Sequence, residues 1–404
     1  MKLHIKQIYH YLFCLLVFSF PIIELVKAIP NITLGALAVL LPFVVKKGDF
    51  IKLKDTKYLL AFLLIIFILL RAILHNDFSE DFYVIKKLLI VVAIAILSLP
   101  IKNYKQIFIS FIIAVFISIL ISSYSIINLI IEQGSFDFSR GDGINSILIN
   151  ERLYFGLLCC LSIVFSLKLF NETTNIKHKR ALIISIIICV LFTLTIVARM
   201  AILTLMIVFL IRAFSRLNIK KAIVSILAVF VIIVIFFSVN KNLSQRFFYS
   251  DQKHEFIENI KIWEPRYVIW NCCINILNAP NSNMLLGNGF KYTTENLIKC
   301  YSEVVTKEKR KNWFVTKGFN THNQYLDLLL SYGVIAFLIF SILLAYLVII
   351  SRKNIENLSI ILIIIFFCTI ENILHRQLGV FLFSIVLVFY NSEYFQSEKS
   401  IKHQ

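Results

Sequence analysis

Charge is what this sequence has least of. Only 16% of its 404 residues are Asp, Glu, Lys or Arg, against about 25% in soluble globular domains. Acidic residues are the scarcer sign, 23 against 41 basic. A chain so poor in charge cannot be a soluble domain of any size. Several catalytic signatures are missing too. There is no Walker motif and no GxGxxG after a strand, which excludes the common nucleotide-binding signatures. There is no HExxH or CxxC pair, so no metal site is expected. No internal repeat and no low-complexity tract is visible.

What is present is apolar. Hydrophobic residues make up 59% of the chain, mean hydropathy is +0.83, and 37 residues are Phe. That much apolar surface cannot be hidden from water, so lipid must be the solvent for most of it. The net charge of +18 would suggest nucleic acid in a soluble protein. Here it reads as Lys and Arg gathered in cytoplasmic loops, and no nucleic-acid partner is expected. Of the eight cysteines, Cys14, Cys159, Cys160, Cys189 and Cys368 sit in apolar runs as small core residues. Cys272, Cys273 and Cys300 fall in one long loop, where Cys300 could pair with either member of the pair.

Apolar runs occupy approximately 9–27, 31–45, 58–74, 86–100, 106–131, 152–170, 181–197, 200–213, 222–239, 323–350, 358–370 and 377–390. The expected fold is therefore all-α: a polytopic transmembrane bundle of about twelve spans. The first 28 residues mimic a signal peptide, but Pro21, Glu24 and Lys27 spoil a cleavage site, so they read as an uncleaved first span. Basic clusters fall on every second loop: Lys46, Lys47, Lys52, Lys54 and Lys57; Lys102 and Lys105; Lys177, Lys179 and Arg180; Arg212, Arg216, Lys220 and Lys221; Arg352 and Lys353. Intervening loops carry Asp77, Glu80 and Asp81, then Glu132, Asp137 and Asp142. Both termini are expected in the cytoplasm. Residues 181–213 are one apolar stretch with basic flanks, interrupted only by Arg199. As a single helix it would be ~50 Å long, too long for a ~30 Å core. A hairpin with Arg199 at its outer tip is expected.

Residues 240–321 then read as one long, partly helical loop on the outer face. A loop of that length is usually functional. It holds Trp263, Trp270 and Trp313. A helix is expected from Pro265 to Asn278, begun by proline and stopped by Ala279-Pro280. Arg266 would sit at its start, where free N–H groups already favour anions and a guanidinium adds a planar fork suited to phosphate. Arg199, ionisable at membrane depth, is a functional candidate by position. In Asn320-Thr321-His322-Asn323, Asn320 or Thr321 would cap the returning helix. His322 would lie in its first turn, where the helix dipole favours the neutral ring a general base needs. Tyr325, Leu329 and Tyr332 recur at helical spacing and read first as packing. Arg71, Lys86, Lys87, Arg140, Arg152 and Arg376 also fall on the outer side, against the charge rule, with His375 beside Arg376. Some only anchor helix ends; a cluster of them would make an anion site.

These elements together resemble the O-antigen ligase and O-antigen polymerase superfamily of bacterial membrane glycan transferases. Ala198-Arg199-Met200-Ala201 is similar to the family's (S/A)R-x-(A/G) element. The loop carries Arg266, Trp270 and Gly287-Asn288-Gly289. His322-Asn323-x-Tyr325-Leu326, followed by Gly333, is similar to the family's HN-x-(Y/F)-L…G element. The motifs cover roughly 180–340. The resemblance implies three units: an N-terminal bundle 1–180, a ligase-like core 181–350, and C-terminal helices with a tail, 351–404. It implies transfer of a glycan from undecaprenyl pyrophosphate to a sugar hydroxyl, of lipid A core or of another lipid-linked glycan, at the periplasmic face of the inner membrane. His322, Arg266 and Arg199 would be catalytic; Arg71, Lys86, Lys87, Arg152 and Tyr325 are candidates for substrate binding. No cofactor or metal is implied, and the partners are the lipid-linked donor, the acceptor and membrane lipids. Other readings are a polymerase of the same superfamily and a transporter or flippase, which would need inverted repeats and broken helices. A dolichol-type transferase would want acidic residues in the first outer loop.

Overall fold

The computed structural model describes residues 2–75, 78–134, 141–216, 218–239, 264–280 and 282–389. Its elements are helical: α1 Lys2–Ser19, α2 Ile29–Val44, α3 Thr56–Leu74, α4 Phe78–Leu97, α5 Tyr104–Gln133, α6 Gly141–Asn145, α7 Arg152–Glu172, α8 Ile176–Thr195, α9 Arg199–Arg216, α10 Ile219–Val239, α11 Pro265–Leu277, α12 Phe290–Val304, α13 Glu308–Lys317, α14 Gln324–Ser351, α15 Ile355–Cys368 and α16 Gln377–Phe389. Each apolar run of the sequence falls on a helix of its own. Among the described residues, five helices are long and apolar enough to cross a membrane, or six if the bent pair Ile29–Val44 and Lys47–Lys54 is one span. The first run is shorter than expected: α1 stops at Ser19, and turns containing Pro21 follow, because proline there has no N–H to continue the ladder.

Residues 181–213 form two helices that turn back on one another, α8 and α9. Phe192 of α8 packs on Phe155 near the start of α7, with ring centroids 4.7 Å apart. Cys189 and Ser162 meet further along, so α7 and α8 are antiparallel. Helix α9 runs with α7 instead. A Cβ on Gly156 would stand 2.7 Å from that of Ala201 and 3.2 Å from that of Ala198. This is the small-residue contact that lets helices in lipid approach closely. At the far end of α7 and α9, Glu356 of α15 accepts from Asn171, Arg212 and Arg216. Helix α15 therefore runs back toward the starts of α7 and α9. One end of this three-helix group is basic and paired to Glu356; the other carries Arg152 and Arg199.

At that second end lies the loop unit. Helices α11, α12 and α13 enclose a separate small core of Val268, Ile269, Cys272, Cys273, Ile276, Leu297, Tyr301 and Phe314. A disulfide joins Cys272 to Cys300 with Cα atoms 5.8 Å apart, which settles the pairing the sequence left open; Cys273 stays a buried thiol. The unit docks on a break in α14. Gly333 has φ 77° there, and the freed carbonyls of Leu330 and Ser331 accept from the N–H groups of Asn288 and Gly289. A broken helix was not foreseen from the sequence. It serves this docking: a Cβ on Gly333 would lie 2.2 Å from the Leu285 carbonyl oxygen. Gly333→Ala is expected to cost about 1–3 kcal/mol from backbone strain alone, and more from that clash. Thermal unfolding of the purified variant should fall accordingly.

Candidate functional site

The site forms where the starts of α7, α9 and α11 meet the segments before α14 and after α15. A cavity of about 190 Å³ is lined by Asn145, Glu151, Arg152, Arg199, Arg266, His322 and Glu371, among others. Three residues singled out in the sequence as catalytic candidates, 123 positions apart at the extremes, thus share one hollow. Arg152 joins them.

Local structure explains each placement. Arg199 is the first residue of α9, after a turn in which Val197 has φ 53°. A β-branched residue rarely takes that conformation. Arg266 follows Pro265 at the first turn of α11, as the sequence suggested. Its Nε and Nη2 donate to the carbonyl of Ile370 at 3.3 and 3.2 Å. Its Nη1 donates to Glu264 Oε1 at 3.0 Å, while Arg199 Nη2 donates to the other oxygen of Glu264 at 2.7 Å. One carboxylate therefore spans both guanidinium groups. Glu264 was not foreseen.

His322 does not lie in the first turn of α14. Asn323 is the N-cap, its side chain accepting from Tyr325 and Leu326 N–H. His322 precedes it with φ 42°. Val197 and His322 are the two non-glycine residues with positive φ among those described; His322 lines this cavity, and Val197 immediately precedes Ala198 and Arg199, which also line it. Strain of this kind, about 1–3 kcal/mol each, persists where the surroundings over-determine it. Around His322 they do. Its N–H donates to Asn320 Oδ1, Trp270 Nε1 donates to the Thr321 carbonyl, and Asn372 Oδ1 accepts from both Thr321 Oγ1 and Asn323 N–H. Asn372 in turn donates to Asp327, and Leu374 N–H donates to Gln324. The turn after α15 thus holds the histidine loop from below.

The same turn supplies Glu371. Its Oε2 lies 3.0 Å from His322 Nδ1, and the residue is 3% exposed. Burial opposes its charge, but the hydrogen bond and charge of His322, with Arg376 and Arg266, outweigh burial and hold the carboxyl below its ordinary range. As a carboxylate it only accepts, so His322 Nδ1 is the donor in this contact. A folded-state value below the unfolded one adds stability above the ordinary carboxylate range, and that stability is lost as pH falls through the lowered value. Glu371→Gln should therefore flatten the loss of thermal stability on acidification. A variant whose acid sensitivity matches the parent's would remove Glu371 from this role. Sequence patterns could not find Glu371 or Glu264, because neither sits at a recurring spacing from its partner.

The other cations lie elsewhere. Arg71 is buried 3.0 Å from Asp81, whose second oxygen accepts from Phe290 N–H, tying α3 and α4 to the loop unit. Lys87 donates to the His375 carbonyl and sits 3.3 Å above the Tyr83 ring; Lys86 lies near that ring too. His375 Nε2 is 2.8 Å from Asp327, and Arg376 pairs with Glu151 at 3.1 Å. Tyr325 donates to the Ile365 carbonyl and packs on Phe337 and Phe340. Arg71, Lys86, Lys87 and Tyr325 are outside the cavity lining. Arg140 and Trp263 lie outside the described residues, as does the loop from 240 to 263. Among the described residues, no group of three or more His, Cys, Asp or Glu side chains could hold a metal ion.

A family model described as O-Antigen ligase matches residues 181–341. No curated protein matches the chain. The matched span begins at α8 and ends in α14, so it includes Arg199, Arg266, the glycine docking turn and His322, while Arg152 and Glu371 come from outside it. The stretch that carries the two arginines and the histidine belongs to the O-antigen ligase superfamily.

Proposed function

We propose that this chain is a membrane glycosyltransferase that moves a glycan from undecaprenyl pyrophosphate to a sugar hydroxyl, with lipid A core as the acceptor. One observation carries the reading: Arg152, Arg199, Arg266 and His322 line a single cavity. Such an array suits a diphosphate leaving group beside a base. The acceptor oxygen bonds to the anomeric carbon as the bond from that carbon to the diphosphate breaks. The hydroxyl proton passes to His322 Nε2, with Glu371 holding Nδ1. Negative charge grows on the departing lipid diphosphate, and fixed guanidinium groups lower the barrier most where charge develops.

Two features support a periplasmic site. The opposite end of α7 and α9 leads into the basic residues Lys177, Lys179, Arg212 and Arg216, which favour the cytoplasm. The Cys272–Cys300 disulfide of the loop unit suits an oxidising compartment. Thr195 and Asn218 are both exposed and flank α9. A thiol placed at Thr195 should react with an impermeant maleimide from outside, and one at Asn218 only after the inner membrane is permeabilised. The reverse pattern would invert the topology.

The test of function is a lipopolysaccharide gel from a deletion strain. Loss of all long glycan from core, with polymer accumulating on the lipid carrier, is the expected result. A single repeat still attached to core would identify a polymerase instead.

A further inference from the structure

Glu264 stands at the N-cap of α11 with its two oxygens on two different arginines, Arg199 at 2.7 Å and Arg266 at 3.0 Å. All three side chains are largely shielded: 21% exposed for Arg199, 25% for Arg266 and 16% for Glu264. Two cations held that close, and that far from water, need a counter-charge. Glu264 supplies it. On the Arg266 side the remaining contact is the main-chain carbonyl of Ile370, which the turn after α15 fixes in place. Glu264 is not itself part of the cavity lining, whereas both arginines are, so a diphosphate oxygen that takes Arg266 Nη1 and Arg199 Nη2 must draw those guanidinium atoms off the Glu264 carboxylate.

We infer that Glu264 is an exchangeable internal anion: it holds the guanidinium groups of Arg199 and Arg266 in the empty enzyme, yields them to the donor, and competes the lipid diphosphate off after transfer. This rests on the diphosphate reading of the site. The exchange needs no covalent step; one carboxylate leaves two guanidinium groups as a more highly charged anion arrives. It makes empty-site stability and product release two consequences of one residue. The opposite role is a permanent bracket that holds both arginines in place while the donor is bound. The two roles differ in the sign of one effect. Removing a competitor tightens anion binding; removing a bracket loosens it.

The test uses the full-length protein in nanodiscs, with inorganic pyrophosphate as the probe and binding measured by calorimetry. Glu264→Gln keeps shape and hydrogen bonding but removes the charge, and should bind pyrophosphate about tenfold more tightly, the scale of one charge-assisted hydrogen bond lost from the competitor. Glu264→Asp, which keeps the charge on a shorter arm, should fall between the parent and Gln, and guards against a Gln variant that folds poorly. Binding that is weakened by Arg266→Ala yet equal or weaker in Glu264→Gln overturns the exchange and leaves the diphosphate reading standing. Absence of pyrophosphate binding in the parent, or binding indifferent to Arg266→Ala, overturns both.

Discussion

Replacing His322 with alanine is expected to cut glycan transfer by about 10²–10⁴-fold, the usual contribution of a positioned base, while donor binding persists. The histidine acts only when the hydroxyl attacks, so its loss belongs to the chemical step and leaves ground-state binding in place. The cavity supports this division. Nδ1 of His322 is committed to Glu371, and the ring is held by a loop whose hydrogen bonds do not involve the arginines. The measurement is transfer rate and lipid-donor affinity on the same purified variant, where a residual rate of that order is expected. Full transfer by His322→Ala would refute its role as base. Loss of donor affinity in proportion to rate would place it in binding instead.

The arginines should fail differently. Arg266→Ala is expected to lose about 2.7–4 kcal/mol of transition-state stabilisation, by analogy with removal of an oxyanion donor, and to weaken donor binding as well, because the diphosphate is already charged before reaction. Arg199→Lys should not be a full rescue, since an ammonium lacks the planar fork. Kinetics and donor binding in nanodiscs separate these outcomes. Normal donor affinity in both variants would move the diphosphate away from this pair and toward Arg152, the other arginine of the cavity.

Much of this architecture was legible because lipid imposes simple rules. Apolar runs became helices, and basic residues on both sides of 181–213 required the chain to turn near Arg199, which it does between Thr195 and Arg199. Pro265 began a helix with Arg266 in its first turn. His322 lines the cavity, but its place in the chain was misjudged by one structural step: Asn323 caps α14, and the histidine lies before it with strained backbone. The cap could not be chosen by composition, because Asn320, Thr321 and Asn323 are all competent N-caps. Glu371 and Glu264 were invisible for a different reason. Each acts through a contact with a residue remote in sequence or on another helix, and local pattern does not encode such contacts. Arg71 shows the converse limit. Its charge breaks the positive-inside pattern expected from the sequence, yet it pairs with Asp81 ten residues on and lies outside the cavity. A cation on the outer side signals only that something must pair with it.

The central claim is that one cavity couples departure of a lipid diphosphate to glycosylation of a hydroxyl. The most direct measurement follows both products at once, using purified protein in nanodiscs, a glycan carried on undecaprenyl pyrophosphate and a lipid A core acceptor. Free lipid diphosphate and glycosylated acceptor should appear in equal amounts, and both should fall together by about 10²–10⁴-fold with His322→Ala. Transfer that continues at the parent rate in that variant, or glycosylated acceptor formed without release of the lipid diphosphate, would contradict it.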